Sequence, residues 1–125
     1  RGRRWAWAAA IAWWLAMFGG THSPAPPHPP FGYADKWMHF SAYFGLAALL
    51  SLALEMRRPL SRGLFWGLVA LLAFYGAFDE ITQPIVGRDC DFWDWVADVV
   101  GILSGAGCYL AAARIVRRRP SDEVA

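Results

Sequence analysis

Residues 78–98, FDEITQPIVGRDCDFWDWVAD, carry six carboxylates and one arginine between two runs apolar enough to cross a bilayer. A soluble loop would place such charges in water. Here some of them fall inside the flanking helices, and that decides how the chain is read. Pro84 turns its predecessor away from helical geometry, so the upstream helix should stop near Gln83. Starting at Leu64, a helix that long spans about 30 Å, the thickness of a bilayer core. It reaches that length only if Asp79, Glu80 and Gln83 form its last turn. A carboxylate there meets the negative end of the helix dipole and is disfavoured by about 0.3–1 kcal/mol. Capping therefore does not explain Asp79 and Glu80, which stand as candidates for function or for a tight ion pair; the alternative is a pair of solvated acids at headgroup level.

Downstream, Asp91 and Asp94 suit the start of a helix, where an acid caps free N–H groups. Asp98 cannot cap anything, because it lies about 10 Å deeper along the axis. A central Asp costs roughly 2.5–3.5 kcal/mol on insertion into a bilayer, so it needs a partner or a proton. Asp91, Asp94 and Asp98 form a stripe that Gly101 and Gly105 continue as a small-xxx-small face. The acids should thus face whichever helix the glycines touch.

Working outward, the 125-residue chain is 57% hydrophobic and only 18% charged, and its apolar residues come in runs rather than stripes. Four candidate spans are expected, at 5–18, 37–54, 64–78 (continuing toward Gln83) and 93–116, in an all-α bundle. The first also has the basic start and apolar core of a signal peptide. Its four tryptophans (Trp5, Trp7, Trp13 and Trp14) suit an interface belt better. No repeat is present, and a single transmembrane domain over 1–125 is expected, with a proline-rich outer loop at 19–34.

With four spans, ten of the 12 Lys and Arg fall on one side, leaving Lys36 and Arg88 on the other. The positive-inside rule then places both termini in the cytoplasm. Seven of the ten acids fall on the outer side: Asp35, Asp79, Glu80, Asp89, Asp91, Asp94 and Asp98. The net charge of +2 reflects this dipolar arrangement and carries no nucleic-acid meaning. Cys90 and Cys108 sit about 27 Å apart along one helix, beyond disulfide reach. Without a CxxC pair, thiol metal and redox readings fall away. A histidine with several carboxylates could hold a divalent metal in an enzyme, yet no HExxH or comparable spacing appears, so neither metal nor cofactor is expected.

In the second span Asp35, His39 and Tyr43 share one helix face. Asp35 is a plausible N-cap, and Lys36 can snorkel to the headgroups. His39 needs a partner and should face the bundle, where it is either a structural hydrogen bonder or a functional group. Tyr43 is packing or chemistry. The candidate ligand-binding set is Asp35, Lys36, His39, Tyr43, Asp79, Glu80, Gln83, Arg88, Asp91, Asp94 and Asp98, with Asp79, Glu80, His39 and Asp94 as the acid–base candidates of an enzyme.

DKWMHFSAYFGLAALL at 35–50 and YGAFDEITQPIVGRDCDFWDWVADVVGILSG at 75–105 resemble the VanZ-like family. The resemblance rests on D-K-x-x-H-F-x-x-Y opening one helix, then D-E-x-x-Q, G-R, and an acid-bearing helix with a following glycine. Asp35, Lys36, His39, Phe40, Tyr43, Asp79, Glu80, Gln83, Gly87, Arg88, Asp94, Asp98 and Gly101 match it, over residues 35–105. Many members carry Asn in place of Asp98, which argues for hydrogen bonding there rather than a required catalytic carboxylate. The resemblance implies a small multi-pass protein of the bacterial cytoplasmic membrane. The family's founding member is associated with low-level resistance to the glycopeptide teicoplanin, which does not make this chain a resistance factor, and the family has no settled reaction. Three functions follow. The outer cluster binds an envelope lipid, a lipid-linked wall precursor or an amphiphilic, glycopeptide-type antibiotic; or the chain is an intramembrane enzyme acting on a lipid-linked substrate; or it is an assembly subunit with a membrane-protein partner.

Overall fold

The computed structural model describes residues 2–24 and 32–118. It contains four α-helices, α1 (Gly2–Thr21), α2 (Ala34–Glu55), α3 (Arg62–Thr82) and α4 (Phe92–Arg118), with a 3-10 turn at Gln83–Val86. No strand occurs among the described residues. Three segments are long and apolar enough to cross a membrane: Ala34–Glu55, Arg62–Val86 and Phe92–Arg117. α1 matches them in length but is diluted by Arg4 and by the amphipathic indoles of its tryptophans.

The termini of these helices follow from local chemistry. Ser61 caps α3 by accepting the Leu64 N–H at 3.2 Å. Pro84 ends α3 as its sequence predicts, and the chain turns through Gly87, whose φ of 78° is left-handed. Asp91 Oδ1 accepts the Trp93 N–H at 2.8 Å and so caps α4. Asp35 does not cap α2. That position is Tyr33, without a side-chain cap, and Asp35 lies inside the first turn. α1 and α2 are longer than the runs at 5–18 and 37–54, which shortens the outer crossing expected at 19–34. Its proline-rich part, 25–31, lies outside the described residues.

α2 and α4 run parallel and form the closest pair, with α1 against α2 and α3 against α4. The stripe on α4 meets α2: a Cβ at Gly101 would overlap the Phe40 carbonyl, and one at Gly105 the Phe44 carbonyl. Only glycine lets the two backbones come this near. Below the polar groups, Met17, Tyr43, Leu46, Ala47, Leu68, Val69, Leu72, Ile102 and Ala106 form the core. Large apolar side chains such as Leu71, Phe74 and Ile81 remain exposed, as expected of a surface that faces hydrocarbon.

The basic side chains gather at one end. Arg57 lies 5.0 Å over the Trp7 ring, and Arg117 pairs with Glu55. Arg4, Arg57, Arg58, Arg62, Arg114 and Arg117 are all exposed.

Candidate functional site

The opposite end holds most of the acids, and Asp79, Glu80, Asp94 and Asp98 point inward. α2 brings Asp35, Lys36, His39 and Tyr43; α3 brings Asp79, Glu80 and Gln83; α4 brings Asp94 and Asp98; the α3–α4 junction adds Arg88 and Asp91. His39, Asp79, Glu80, Gln83, Asp94 and Asp98 are each no more than 2% exposed, although five of the six are ionisable.

At the rim, two cations cross between helices. Lys36 Nζ donates to Asp91 Oδ2 and Asp94 Oδ1, both at 2.8 Å. Arg88 Nη2 donates to Asp35 Oδ1 at 2.7 Å, and its Nε to Gln83 Oε1 at 3.1 Å. Asp91 lies outside the helices, and hydrogen bonding to Lys36 holds its carboxyl below the usual carboxylate range. The acid that α4's first turn offers for a reciprocal cap, Asp94, is spent on Lys36. Glu80 of α3 supplies the reciprocal cap instead, its Oε2 accepting the Asp91 N–H at 3.1 Å.

One turn deeper, His39 Nδ1 is 2.9 Å from Asp98 Oδ1 and 3.5 Å from Glu80 Oε1. Gln83 Nε2 donates to the same Glu80 Oε1 at 2.8 Å. Hydrogen bonds thus link Asp35, Arg88, Gln83 and Glu80, and a 3.5 Å contact leads on to His39, which bonds Asp98. Gly76 makes room for it, since a Cβ there would stand 3.1 Å from Asp98 Oδ2. Trp95 Nε1 donates to the Ala73 carbonyl at 2.9 Å and fixes α4 against α3 at this level.

Asp79 follows a separate route. Its Oδ1 accepts the Thr21 hydroxyl at 3.1 Å and lies 3.5 Å from His22 Nδ1; His22 Nε2 is 2.9 Å from Thr82 Oγ1. Sequence reasoning missed Thr21 and His22. Their only signal was position, two polar side chains at the outer end of the first helix. Four buried atoms of the cluster have no hydrogen-bond partner among the described residues: His39 Nε2, Tyr43 Oη, Asp79 Oδ2 and Asp98 Oδ2. The structure therefore gathers all eleven candidates at one end, but Tyr43 bonds to none of them and Asp79 bonds to α1. Asp89, the seventh outer acid, is exposed.

Two donor groups have metal-ligating chemistry, Asp35 with His39 and Asp94, and His39 with Glu80 and Asp98, each with its donor atoms within 4.8 Å of one another. Beside the cluster an apolar groove of about 630 Å³ runs between α2 and α4, walled by Trp37, Phe40, Trp93, Val96, Ala97 and Val100, with Lys36 on its border. A crevice of about 300 Å³ between α1 and α2 is bordered by His39 and Arg88.

No curated protein and no solved structure matches the chain. The family model described as VanZ/LLP1 matches residues 5–116, well beyond the 35–105 that carry the sequence motifs. With nearly the whole chain covered, this protein belongs to the VanZ/LLP1 family.

Proposed function

We propose that this VanZ/LLP1 protein is a four-span protein of a bacterial cytoplasmic membrane, with α1 as its fourth span and both termini in the cytoplasm. Its acid end then lies at the outer leaflet and binds the head of an envelope amphiphile. The exposed arginines at the other end support this orientation through the positive-inside rule. The observation that carries the binding reading is the charge imbalance of the buried cluster. Buried Asp79, Glu80, Asp94 and Asp98, with the half-exposed Asp35 and Asp91 at their rim, face only two fixed cations among the described residues, Lys36 and Arg88. Such a site favours a head that bears an amine or arrives with a cation, and the α2–α4 groove beside it suits a hydrocarbon tail. An envelope lipid, a lipid-linked wall precursor and a glycopeptide-type amphiphile share that chemistry.

The test is mass spectrometry of lipids that co-purify with the wild type and with Glu80→Gln. The expected result is an amphiphile that the wild type retains and the variant loses at equal protein yield. Identical lipid profiles overturn the reading.

One observation favours a second reading. The His39–Asp98 pair, with Arg88 in the same network, places a proton-transfer group near a donor able to hold negative charge. In that reading the chain is an intramembrane enzyme acting on a lipid-linked substrate. Turnover of a candidate lipid, abolished in His39→Gln with accumulation preserved, decides for it.

A further inference from the structure

We propose that His39, Glu80 and Asp98 form a site for one divalent transition-metal ion of the Zn²⁺ or Mn²⁺ kind. Charge separates the two donor groups that share His39. The one with Asp35 and Asp94 already holds its cations, since Arg88 pairs with Asp35 and Lys36 with Asp94. The other has none. Glu80 and Asp98 are 2% and 0% exposed, and their neighbours are an imidazole, an amide and a backbone N–H. Two carboxylates in so dry a place need a proton each or a cation between them.

The geometry suits the cation. Ligand atoms bound at about 2.0–2.2 Å from one metal stand roughly 3.0–3.6 Å apart. His39 Nδ1 lies 3.5 Å from Glu80 Oε1, inside that range, and 2.9 Å from Asp98 Oδ1, a hydrogen-bonded contact that a metal would replace after a small widening; the donor set as a whole falls within 4.8 Å. The Asp98 carboxylate turns into this group through Oδ1, while Oδ2 has no donor although the residue is wholly buried. That second oxygen allows bidentate binding. One imidazole and two carboxylates suit Zn²⁺ or Mn²⁺, whereas Ca²⁺ asks for six or more oxygens. Two negative ligands also leave the loaded site neutral, with His39 bound through Nδ1 as the neutral imidazole that carries its proton on Nε2; a second proton, where the ring held one, is released as the ion enters.

A supporting layer is in place. Gln83 and the Asp91 N–H hold the two oxygens of Glu80, and Arg88 in turn fixes Gln83. Metal ligands are oriented by second contacts of this kind. Ligand spacing along the sequence does not show the site, because each donor comes from a different helix. Metal binding here does not depend on amphiphile binding, and its readouts contain no lipid.

The experiment uses untagged full-length protein in detergent, stripped with a chelator, then given Zn²⁺ or Mn²⁺ and desalted. Elemental analysis should find about one ion per chain, and the melting temperature should rise as ion is added. Asp98→Asn and Glu80→Gln should each weaken binding by about 100-fold or more. Gln83→Ala, which only loosens Glu80, should weaken it by roughly tenfold, and Asp89→Asn should leave it unchanged. A wild type that retains no ion and shows no melting shift overturns the proposal. So does wild-type stoichiometry in both Asp98→Asn and Glu80→Gln. If those variants fail to accumulate, the wild-type and Gln83→Ala titrations decide.

Discussion

The two ends of this bundle hold charge in opposite ways. At the basic end six arginines are exposed; Arg57 lies over the half-buried Trp7, and Arg117 reaches from the surface to the largely buried Glu55. At the acid end Arg88 is buried, and carboxylates from α2, α3 and α4 close around His39. Exposed pairs are worth about 0–1 kcal/mol, whereas removing one partner of a buried pair costs several. Charges at the two ends therefore contribute unequally, and the difference can be measured.

The strongest way to break the contrast is Arg88→Met. It strands Asp35 and frees Gln83, and thermal unfolding in detergent should show a loss of about 3 kcal/mol, near the low end for a buried pair because Asp35 is half-exposed. Arg58→Met, at the other end, should stay within about 0.5 kcal/mol. Gly105→Val comes next. Its Cβ meets the Phe44 backbone, which cannot swing aside, so about 2 kcal/mol should be lost, while Gly107→Val enters open space and should be nearly silent in the same assay. Thr21→Val removes a hydroxyl donor from the fully buried Asp79 and should cost about 1–2 kcal/mol by the same melting measurement.

The smallest effect sharpens the comparison by pH. Asp91 is held below its ordinary value by Lys36, so their contact stabilises the fold above about pH 4, the unfolded carboxylate value. That contribution fades as pH falls through the depressed folded value. The melting difference between wild type and Lys36→Met should accordingly be full at pH 7 and shrink on acidification below about pH 4. A difference that stays constant down to about pH 3 would remove the pairing from the account.

Much of the fold was legible because lipid imposes a coarse code. Long apolar runs give helices, Pro84 stops one of them, and Gly101 with Gly105 marks the face that meets a neighbour. The convergence of Asp79, Glu80, Asp94 and Asp98 was also legible, since buried carboxylates on lipid-crossing helices have nowhere else to go. The pairings were not. Asp35 reads as a cap but bonds Arg88, 53 positions away. Glu80 reads as a functional or ion-paired acid at the end of its own helix, and nothing local shows that it completes the start of α4. Thr21 and His22 read as loop residues but hold Asp79. In each case the partner lies outside the residue's own helix, at the α3–α4 junction or on α3, and its place depends on how closely the helices approach, as α2 and α4 do, a distance that no local pattern contains.

That approach has a mechanical consequence. With Phe40 and Phe44 carbonyls seated on Gly101 and Gly105, α2 and α4 form a stiff plank in which sliding or rotation meets backbone at once. α1 and α3 lack such a seam with each other; a crevice of about 260 Å³ separates part of their length, and Thr21 and His22 fasten them at one tip. α2 and α4 are thus the frame of the bundle: α3 is tied to α4 through Trp95 and Glu80, α1 is tied to α2 through Trp13, and α1 meets α3 at the Thr21–His22 clasp.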